Sequence, residues 1–344
     1  MDAPASGLLT DLLKQVSRSF YLTMRVLPAA IRPQISVAYL LARATDTVAA
    51  TQIVPLAERL QALQALREGI LGGSTVPLNF GELARHQSSP AEWRLLQRIE
   101  EPLALLEEFS TEDQHRIREV LSVITAGQES DLNRFADASS ERIVSLNTDV
   151  ELDDYTYRVA GCVGEFWTKM CRAHLFYDAP LDDEFLVANG VRFGKGLQLV
   201  NILRDLPRDL RQGRCYLPGD RLWAIGLTPL DLLEPVSGRK LRPLYDAYLE
   251  QAEEHLAAGW IYTNALPRKD ARVRLACAWP LLIGIRTVEK LRANNLLAPE
   301  LHVKISRSEV RQIIVRTVLC YPWPRAWTRL FPRRDKGPSQ TELR

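Results

Sequence analysis

Cysteine and histidine are scarce in this chain of 344 residues, and their spacing excludes the common metal and disulfide sites. Five cysteines are scattered without a C-x-x-C pair, as expected for reduced structural thiols in a cytosolic protein. Five histidines are equally dispersed, without H-x-x-x-H or H-E-x-x-H, so the sequence does not support a zinc centre. The G-x-S-x-G, Walker and G-x-G-x-x-G patterns are also missing, so neither a nucleophile elbow nor a Rossmann nucleotide site is predicted.

Long apolar runs and an excess of charge of one sign are absent as well. No stretch approaches the roughly 18 apolar residues of a spanning helix, and the N-terminal MDAPASGLLTDLLKQ lacks the basic and apolar regions of a secretory signal. The 44 basic and 42 acidic residues leave a net charge of +2, which gives no support to a nucleic-acid partner. We therefore predict a cytoplasmic protein whose membrane contact, if any, is peripheral and on the inner face.

Alternating strand-like runs are nearly absent, whereas apolar residues recur at helical spacing, as in Leu56, Leu60 and Leu63. The turn-rich breaks are short, and neither an internal repeat nor a long linker is evident. We predict one all-α domain over residues 1–332, followed by a polar tail at 333–344.

An acidic pair stands in the stretch QLVNILRDLPRDLRQGRCYLP. Asp205 and Asp209 are one helical turn apart, and Gln198 and Asn201 extend the same polar stripe. Carboxylates at this spacing suit Mg²⁺, which binds through one or two carboxylates together with substrate phosphates. The alternative is a solvated acidic pair offset by neighbouring arginines, and Pro207 predicts a kink between the two carboxylates.

A second polar face, in LLARATDTVAAT, places Tyr39, Arg43, Asp46 and position 50 at steps of three and four residues. Alone, Arg43 and Asp46 are typical of an exposed helical ion pair. Two such faces in one helical chain favour a cavity with metal ions on opposed walls. A second carboxylate is expected at position 50, but the residue there, Ala50, is an alanine.

Two further segments carry candidate residues. SRSF at 17–20 offers Arg and hydroxyl donors for a diphosphate, with a helix cap as the alternative. In DDYTYRVAGCVG, Tyr155 and Tyr157 precede small residues that allow another helix or a long substrate to approach closely. The spacing does not choose between these tyrosines, and either suits a core position as well.

Tryptophan and arginine alternate near the C-terminus, in CYPWPRAWTRLFPRR. Trp323, Trp327 and Phe331 are interleaved with arginines at 325, 329, 333 and 334, a pattern typical of a membrane interface. The alternative is a helix that packs its tryptophans on the core.

Taken in order, these motifs resemble those of the squalene and phytoene synthases, which are head-to-head prenyl transferases with the all-α isoprenoid synthase fold. The resemblance rests on SRSF, RATDTV, YTYRVAGCVG and QLVNILRDLPRD…GRCYLP and extends over roughly residues 10–320. CAWPLLIG at 277–284 and VKISRSEV at 303–310 are similar to late segments of squalene synthases in particular. The resemblance implies a single-domain class I terpenoid synthase bundle around a central cavity.

The same resemblance implies roles for individual residues. Two farnesyl diphosphates would bind in the cavity, with Mg²⁺ bridging them to Asp46, Asp205 and Asp209. Tyr155, Arg43 and Arg204 match catalytic positions of the family. The implied substrate and cofactor contacts are Ser17, Arg18, Ser19, Phe20, Tyr39, Gln198, Asn201 and Lys304.

The implied reaction is squalene synthesis through presqualene diphosphate with NADPH as reductant. Dehydrosqualene, phytoene or presqualene diphosphate synthesis is the alternative, as is a non-catalytic member that binds prenyl diphosphates. Ala50 departs from the family, which has a carboxylate there, so we expect a folded enzyme with impaired turnover. A natural variant and a deliberate replacement by alanine both remain open, and the retention of the other motif positions favours replacement.

Overall fold

The computed structural model describes residues 11–16, 20–51, 53–73, 77–85, 89–294, 296–297 and 303–332 of the chain. These residues are mostly helical, with one small parallel sheet, and residues 11–16 are also helical. The remaining helices are α1 (Phe20–Val26), α2 (Arg32–Ala50), α3 (Leu56–Leu71), α4 (Gly81–Arg85), α5 (Pro90–Gln97), α6 (Glu100–Glu107), α7 (Thr111–Arg134), α8 (Asp149–Thr156), α9 (Cys162–His174), α10 (Asp183–Arg211), α11 (Gly219–Ala224), α12 (Gly238–Ala265), α13 (Ala271–Ala293), α14 (Arg307–Cys320) and α15 (Pro324–Thr328). A π-helical turn, Tyr157–Gly161, joins α8 to α9, and two 3₁₀ turns, Leu230–Leu233 and Pro235–Ser237, precede α12.

The long helix α10 is central to the bundle. It packs along α12 and also contacts α9, α13 and the π-helical turn, while α2 packs on α7. The side chains that α10 buries include Leu199, Leu203 and Leu206, which recur at helical spacing and form one side of the core. The opposite side of this segment carries the polar stripe that the sequence analysis identified.

Glycine allows α10 to approach the π-helical turn and α9 at backbone distance. A Cβ atom added at Gly194 would lie 2.0 Å from the carbonyl oxygen of Ala160, and one at Gly164 would lie 1.9 Å from that of Gly190. Only glycine fits such contacts, because any side chain would overlap the facing backbone. The close helix approach predicted from the small residues after Tyr157 is therefore confirmed.

Two short strands, β1 (Val144–Leu146) and β2 (Arg214–Pro218), pair in parallel. Strand β2 follows α10 after a tight turn at Gly213, whose φ of 78° favours glycine. Side chains alternate along a strand, so Arg214 and Tyr216 share one face while Cys215 is buried on the other. The sheet therefore fixes two polar side chains next to the acidic pair of α10.

The predicted all-α fold is confirmed, and the C-terminal segment requires one correction. Trp327 is 3% exposed, stacks on Trp260 at 5.2 Å and donates its indole N–H to Asn264 at 2.8 Å, so it is a core residue. Phe331 also stacks on Trp260, whereas Trp323 is exposed. Both contacts with Trp260 match the alternative of a segment packed on the core. The polar tail at 333–344, which includes Arg333 and Arg334 of the aromatic and basic motif, lies outside the described residues.

Across the described ranges, the structure contains no helix that is both long and apolar enough to cross a membrane.

Candidate active site

The two acidic motifs face each other across one cavity. Helix α2 forms one wall and α10 the other, and the cavity has two adjoining parts of about 670 and 640 Å³. Each volume is typical of a small-molecule site. The residues that line both parts are Arg43, Asp46, Ala50, Tyr155, Gln198, Asn201, Asp205, Arg214 and Tyr216. The structure thus brings together side chains that are far apart in the sequence.

The two parts of the cavity differ in the rest of their lining. The first also contains Glu92, Arg208, Asp209 and Gln212, and is strongly polar at that end. The second also contains Tyr39 and Arg204 beside an apolar group of side chains: Ala42, Ala49, Ile124, Leu132, Val159 and Val163. A ligand with a charged head and an apolar tail matches this division.

On the α10 wall, arginines hold both carboxylates. Arg204 donates two hydrogen bonds to Asp205, at 2.8 and 2.7 Å, and Arg208 bridges Asp205 at 3.3 Å and Asp209 at 3.1 Å. Pro207 does not end the helix. Burial raises the pKa of Asp209, and the positive charge of Arg208 opposes this rise. The hydrogen bonds to Asp205 raise the pKa of Arg204. The solvated pair considered from the sequence is therefore a partly buried pair at a cavity wall.

On the α2 wall, Asp46 is the motif carboxylate and Ala50 carries none. Arg43 donates to Asp46 at 2.6 Å and also to Glu92 of α5. Although 54% of the Asp46 side chain is accessible through the cavity, the surrounding protein desolvates the carboxylate and raises its pKa, which Arg43 opposes. Burial likewise raises the pKa of Tyr39 on the same face. The predicted ion pair exists, but inside the cavity.

The structure separates the two candidate tyrosines. Tyr155 lines the cavity and stacks on Tyr216, with ring centroids 4.6 Å apart. Tyr157, in the π-helical turn, donates instead to Glu165 at 3.1 Å. Desolvation raises the pKa of Tyr155 well above its usual value, and Tyr216 adds to the rise, so its phenol stays neutral. The π-helical turn directly follows α8, and such turns within helices are frequent at functional sites.

Sequence reasoning missed a partly buried carboxylate, Asp131 of α7, in the second part of the cavity. It accepts hydrogen bonds from Arg214 at 3.3 Å and from the Tyr216 hydroxyl at 3.4 Å. Burial raises its pKa to about 6, and Arg214 and Tyr216 oppose the rise. Arg214 and Tyr216 themselves lay in the quoted GRCYLP motif, where their shared strand face was the available signal.

Some predicted contacts are not assembled at the cavity. Ser17, Arg18 and Ser19 lie outside the described residues, as does the side chain of Phe20. Lys304 is exposed and does not line either part of the cavity; its carbonyl oxygen accepts from Lys290 at 3.1 Å. Gln198 and Asn201 do line both parts and form a 3.4 Å hydrogen bond to each other.

The donor set fits Mg²⁺ only in combination with a phosphate ligand. No cluster of three or more histidine, cysteine, aspartate or glutamate side chains capable of holding a metal ion occurs within the described part of the chain. Asp205 and Asp209 do offer two carboxylates on one wall, and Asp46 offers one on the other. This is the chemistry of a Mg²⁺ ion that completes its coordination with phosphate oxygens and water.

Comparison with known proteins identifies the family. The family model described as squalene/phytoene synthase matches residues 13–309. The squalene synthase of Schizosaccharomyces pombe is 26% identical over 311 residues, which are 90% of this chain and 64% of that protein. The presqualene diphosphate synthase of Rhodopseudomonas palustris is 27% identical over 304 residues, 87% of this chain and 92% of that protein.

Comparison with solved structures shows the same fold. TcSQS in complex with a ligand superposes with a TM-score of 0.76 at 20% identity, over 95% of this chain and 89% of that one. The resemblance inferred from the motifs is confirmed by the family model, and this chain belongs to the squalene/phytoene synthase family.

Proposed function

We propose that this chain is a squalene synthase-type prenyl transferase that condenses two farnesyl diphosphates head to head. The observation that carries the proposal is the single cavity in which Asp46 faces Asp205 and Asp209, with Tyr155 between the walls and an apolar region beyond them. A charged head group would meet the first part of the cavity, and the prenyl chains would lie against the apolar side chains of the second.

The arginines of the cavity would stabilise the leaving diphosphate. Arg43, Arg204, Arg208 and Arg214 all line the cavity and carry the charge that a developing diphosphate anion needs. Ionisation of one allylic C–O bond leaves a cation that the double bond of the second substrate attacks. The apolar walls keep water away from that cation.

Tyr155 would assist the proton transfer that closes the cyclopropane of presqualene diphosphate. Because its pKa is raised, Tyr155 stays a neutral phenol and cannot act as a strong base. It can accept the proton only while passing its own to a neighbouring acceptor. Within the proposed reaction it is therefore a relay, oriented by the stacked ring of Tyr216.

Two cofactors belong to the proposal. Asp46, Asp205 and Asp209 would hold Mg²⁺, which when bound would neutralise diphosphate charge as a Lewis acid. NADPH would supply the hydride that yields squalene, and its phosphates would have to be met by the cavity arginines or by residues outside the described ranges. The relatives named presqualene diphosphate synthases make termination at that intermediate the second candidate.

Product analysis with farnesyl diphosphate, Mg²⁺ and NADPH tests the proposal, run on this chain beside its Ala50→Asp variant. Squalene from the variant and little from the chain as given supports an impaired squalene synthase. Presqualene diphosphate, dehydrosqualene or phytoene would assign a neighbouring reaction. Binding of a prenyl diphosphate without any product from either protein would favour the non-catalytic alternative.

Peripheral contact with the inner face of a membrane is also proposed, on a surface of α14 that keeps Trp323 but not Trp327 or Phe331 from the set that the sequence suggested. Thr317 faces the core, where its hydroxyl accepts from the Trp279 indole N–H at 2.9 Å. Val315, Val318 and Leu319 lie on the exposed side of α14 and are about half exposed or more. A ridge of apolar side chains on the solvent-exposed face of a surface helix is typical of a helix that lies in a membrane interface.

Positive charge accompanies this ridge. Arg311 lies one turn before Val315 on the same face, and Arg316 lies beside it, both exposed. With Trp323 exposed just after the helix, the surface combines apolar, aromatic and basic groups, which suits anionic lipid. Co-sedimentation with anionic vesicles should fall on Val318→Glu but not on Val236→Glu, a control at an 83% exposed valine elsewhere. Equal sedimentation of the two variants would refute the contact.

A further inference from the structure

Ala50 leaves the α2 wall one carboxylate short, and the structure contains a nearby carboxylate that is not part of the motif. Glu92 of α5 lines the same part of the cavity as Asp46 and Ala50. Its side chain is 21% exposed, and α5 packs against α2.

The position of Glu92 within α5 is unusual for a charged residue. Leu95 and Leu96, three and four residues later, are buried, so Glu92 continues their stripe on the face that packs against the bundle. A charge on such a stripe costs desolvation energy unless it is paired. Its observed partner is Arg43.

Arg43 connects the two carboxylates. One guanidinium nitrogen donates to Asp46 at 2.6 Å and the other donates to Glu92. Two carboxylates from different helices therefore share one cation. The α2 wall therefore has two negative charges around a positive centre without a carboxylate at position 50.

We propose that Glu92 supplies the second carboxylate of the α2 wall in place of residue 50. The inference rests on the proposed function, and it assigns Glu92 together with Asp46 to the binding of Mg²⁺ and diphosphate. Two carboxylates with phosphate oxygens and water suffice for Mg²⁺. When diphosphate is present, Arg43 would be able to pair with it, since both carboxylates would have another cation.

Calorimetric titration with inorganic diphosphate, with and without Mg²⁺, tests the inference without requiring turnover. We expect Glu92→Gln to weaken Mg²⁺-dependent diphosphate binding by about tenfold or more. In the Ala50→Asp background, where the motif carboxylate is present, the same change should cost about twofold or less, since the metal again has its second ligand. Glu253→Gln is the matched control, because Glu253 pairs with one arginine and is also 21% exposed, but lies outside the cavity.

Several outcomes would overturn the inference. An effect of Glu92→Gln no larger than that of the control would remove any role, and an equal loss in both backgrounds would show that Glu92 does not replace residue 50. An equal loss with and without Mg²⁺ would show that Glu92 only positions Arg43. If no variant, including Ala50→Asp, binds diphosphate with Mg²⁺ or forms product, the proposed function fails together with the inference. Product from Ala50→Asp with an unaffected Glu92→Gln variant would refute the inference alone.

Discussion

The raised pKa of Asp131 predicts an unusual dependence of stability on pH. The side chain is 16% exposed, and burial raises its pKa to about 6 although Arg214 and Tyr216 oppose the rise. In the unfolded chain an aspartate titrates near 3.9. The folded state therefore binds more protons at this residue than the unfolded state between about pH 4 and pH 6.

The sign and magnitude follow from proton linkage. Because the folded state binds more protons in that window, the Asp131 contribution to the free energy of unfolding is greatest at low pH and is lost as pH rises through 6. A shift of about two pKa units corresponds to roughly 3 kcal/mol in total, of which about 1.4 kcal/mol falls between pH 5 and pH 8. An asparagine at this position cannot titrate and lacks this slope.

Urea unfolding of the chain and of Asp131→Asn, at several pH values from 5 to 8, measures the effect. The difference in unfolding free energy between the two proteins should change by about 1.4 kcal/mol across this range, with the chain relatively less stable at pH 8. Taking the difference cancels the carboxylates that do not interact with Asp131. Asp137→Asn, at a position 74% exposed, serves as the control and should run parallel to the chain. Parallel curves for Asp131→Asn, or a difference of the opposite sign, would refute the reasoning.

Two further predictions concern the proposed relay and the helix contacts that support it. Tyr155→Phe should lower the rate of product formation by about a hundredfold or more, whereas Tyr157→Phe should leave it unchanged, because the Tyr157 hydroxyl bonds outside the cavity; equal rates would contradict the assignment. Gly194→Ala should destabilise the fold by about 1–3 kcal/mol or more in urea unfolding, because its Cβ would lie 2.0 Å from the Ala160 carbonyl oxygen. Gly284→Ala, whose Cβ would meet only side-chain atoms of Leu256 and Leu197, at 3.3 to 3.5 Å, should be close to neutral. Equal losses at the two glycines would contradict the packing argument.

The sequence was sufficient for the fold class and for the residues on the two long helices. Periodicity alone places Arg43 and Asp46 on one face of α2, and Asp205 and Asp209 on one face of α10, since both segments are regular helices. Each pair was ambiguous by itself, because exposed ion pairs have the same spacing. Their placement on opposite walls of one cavity depends on tertiary packing, which periodicity does not report.

The residues that sequence reasoning missed reach the cavity through long-range contacts. Asp131 looks like an ordinary charge near the end of a helix, and its burial depends on Arg214 and Tyr216, more than 80 residues later. Glu92 had a local signal, its place on the stripe of Leu95 and Leu96, but that stripe is short. Trp327 was ambiguous for a different reason: the same aromatic and basic pattern suits a membrane surface and a core contact, and only packing distinguishes them.

The most direct test of the central claim is the product formed from farnesyl diphosphate with Mg²⁺ and NADPH by the Ala50→Asp variant, compared with the chain as given. We expect squalene from the variant and a much lower yield from the chain. Equal turnover by the two proteins would contradict the importance of residue 50, and the absence of any head-to-head product from the variant would contradict the proposed activity.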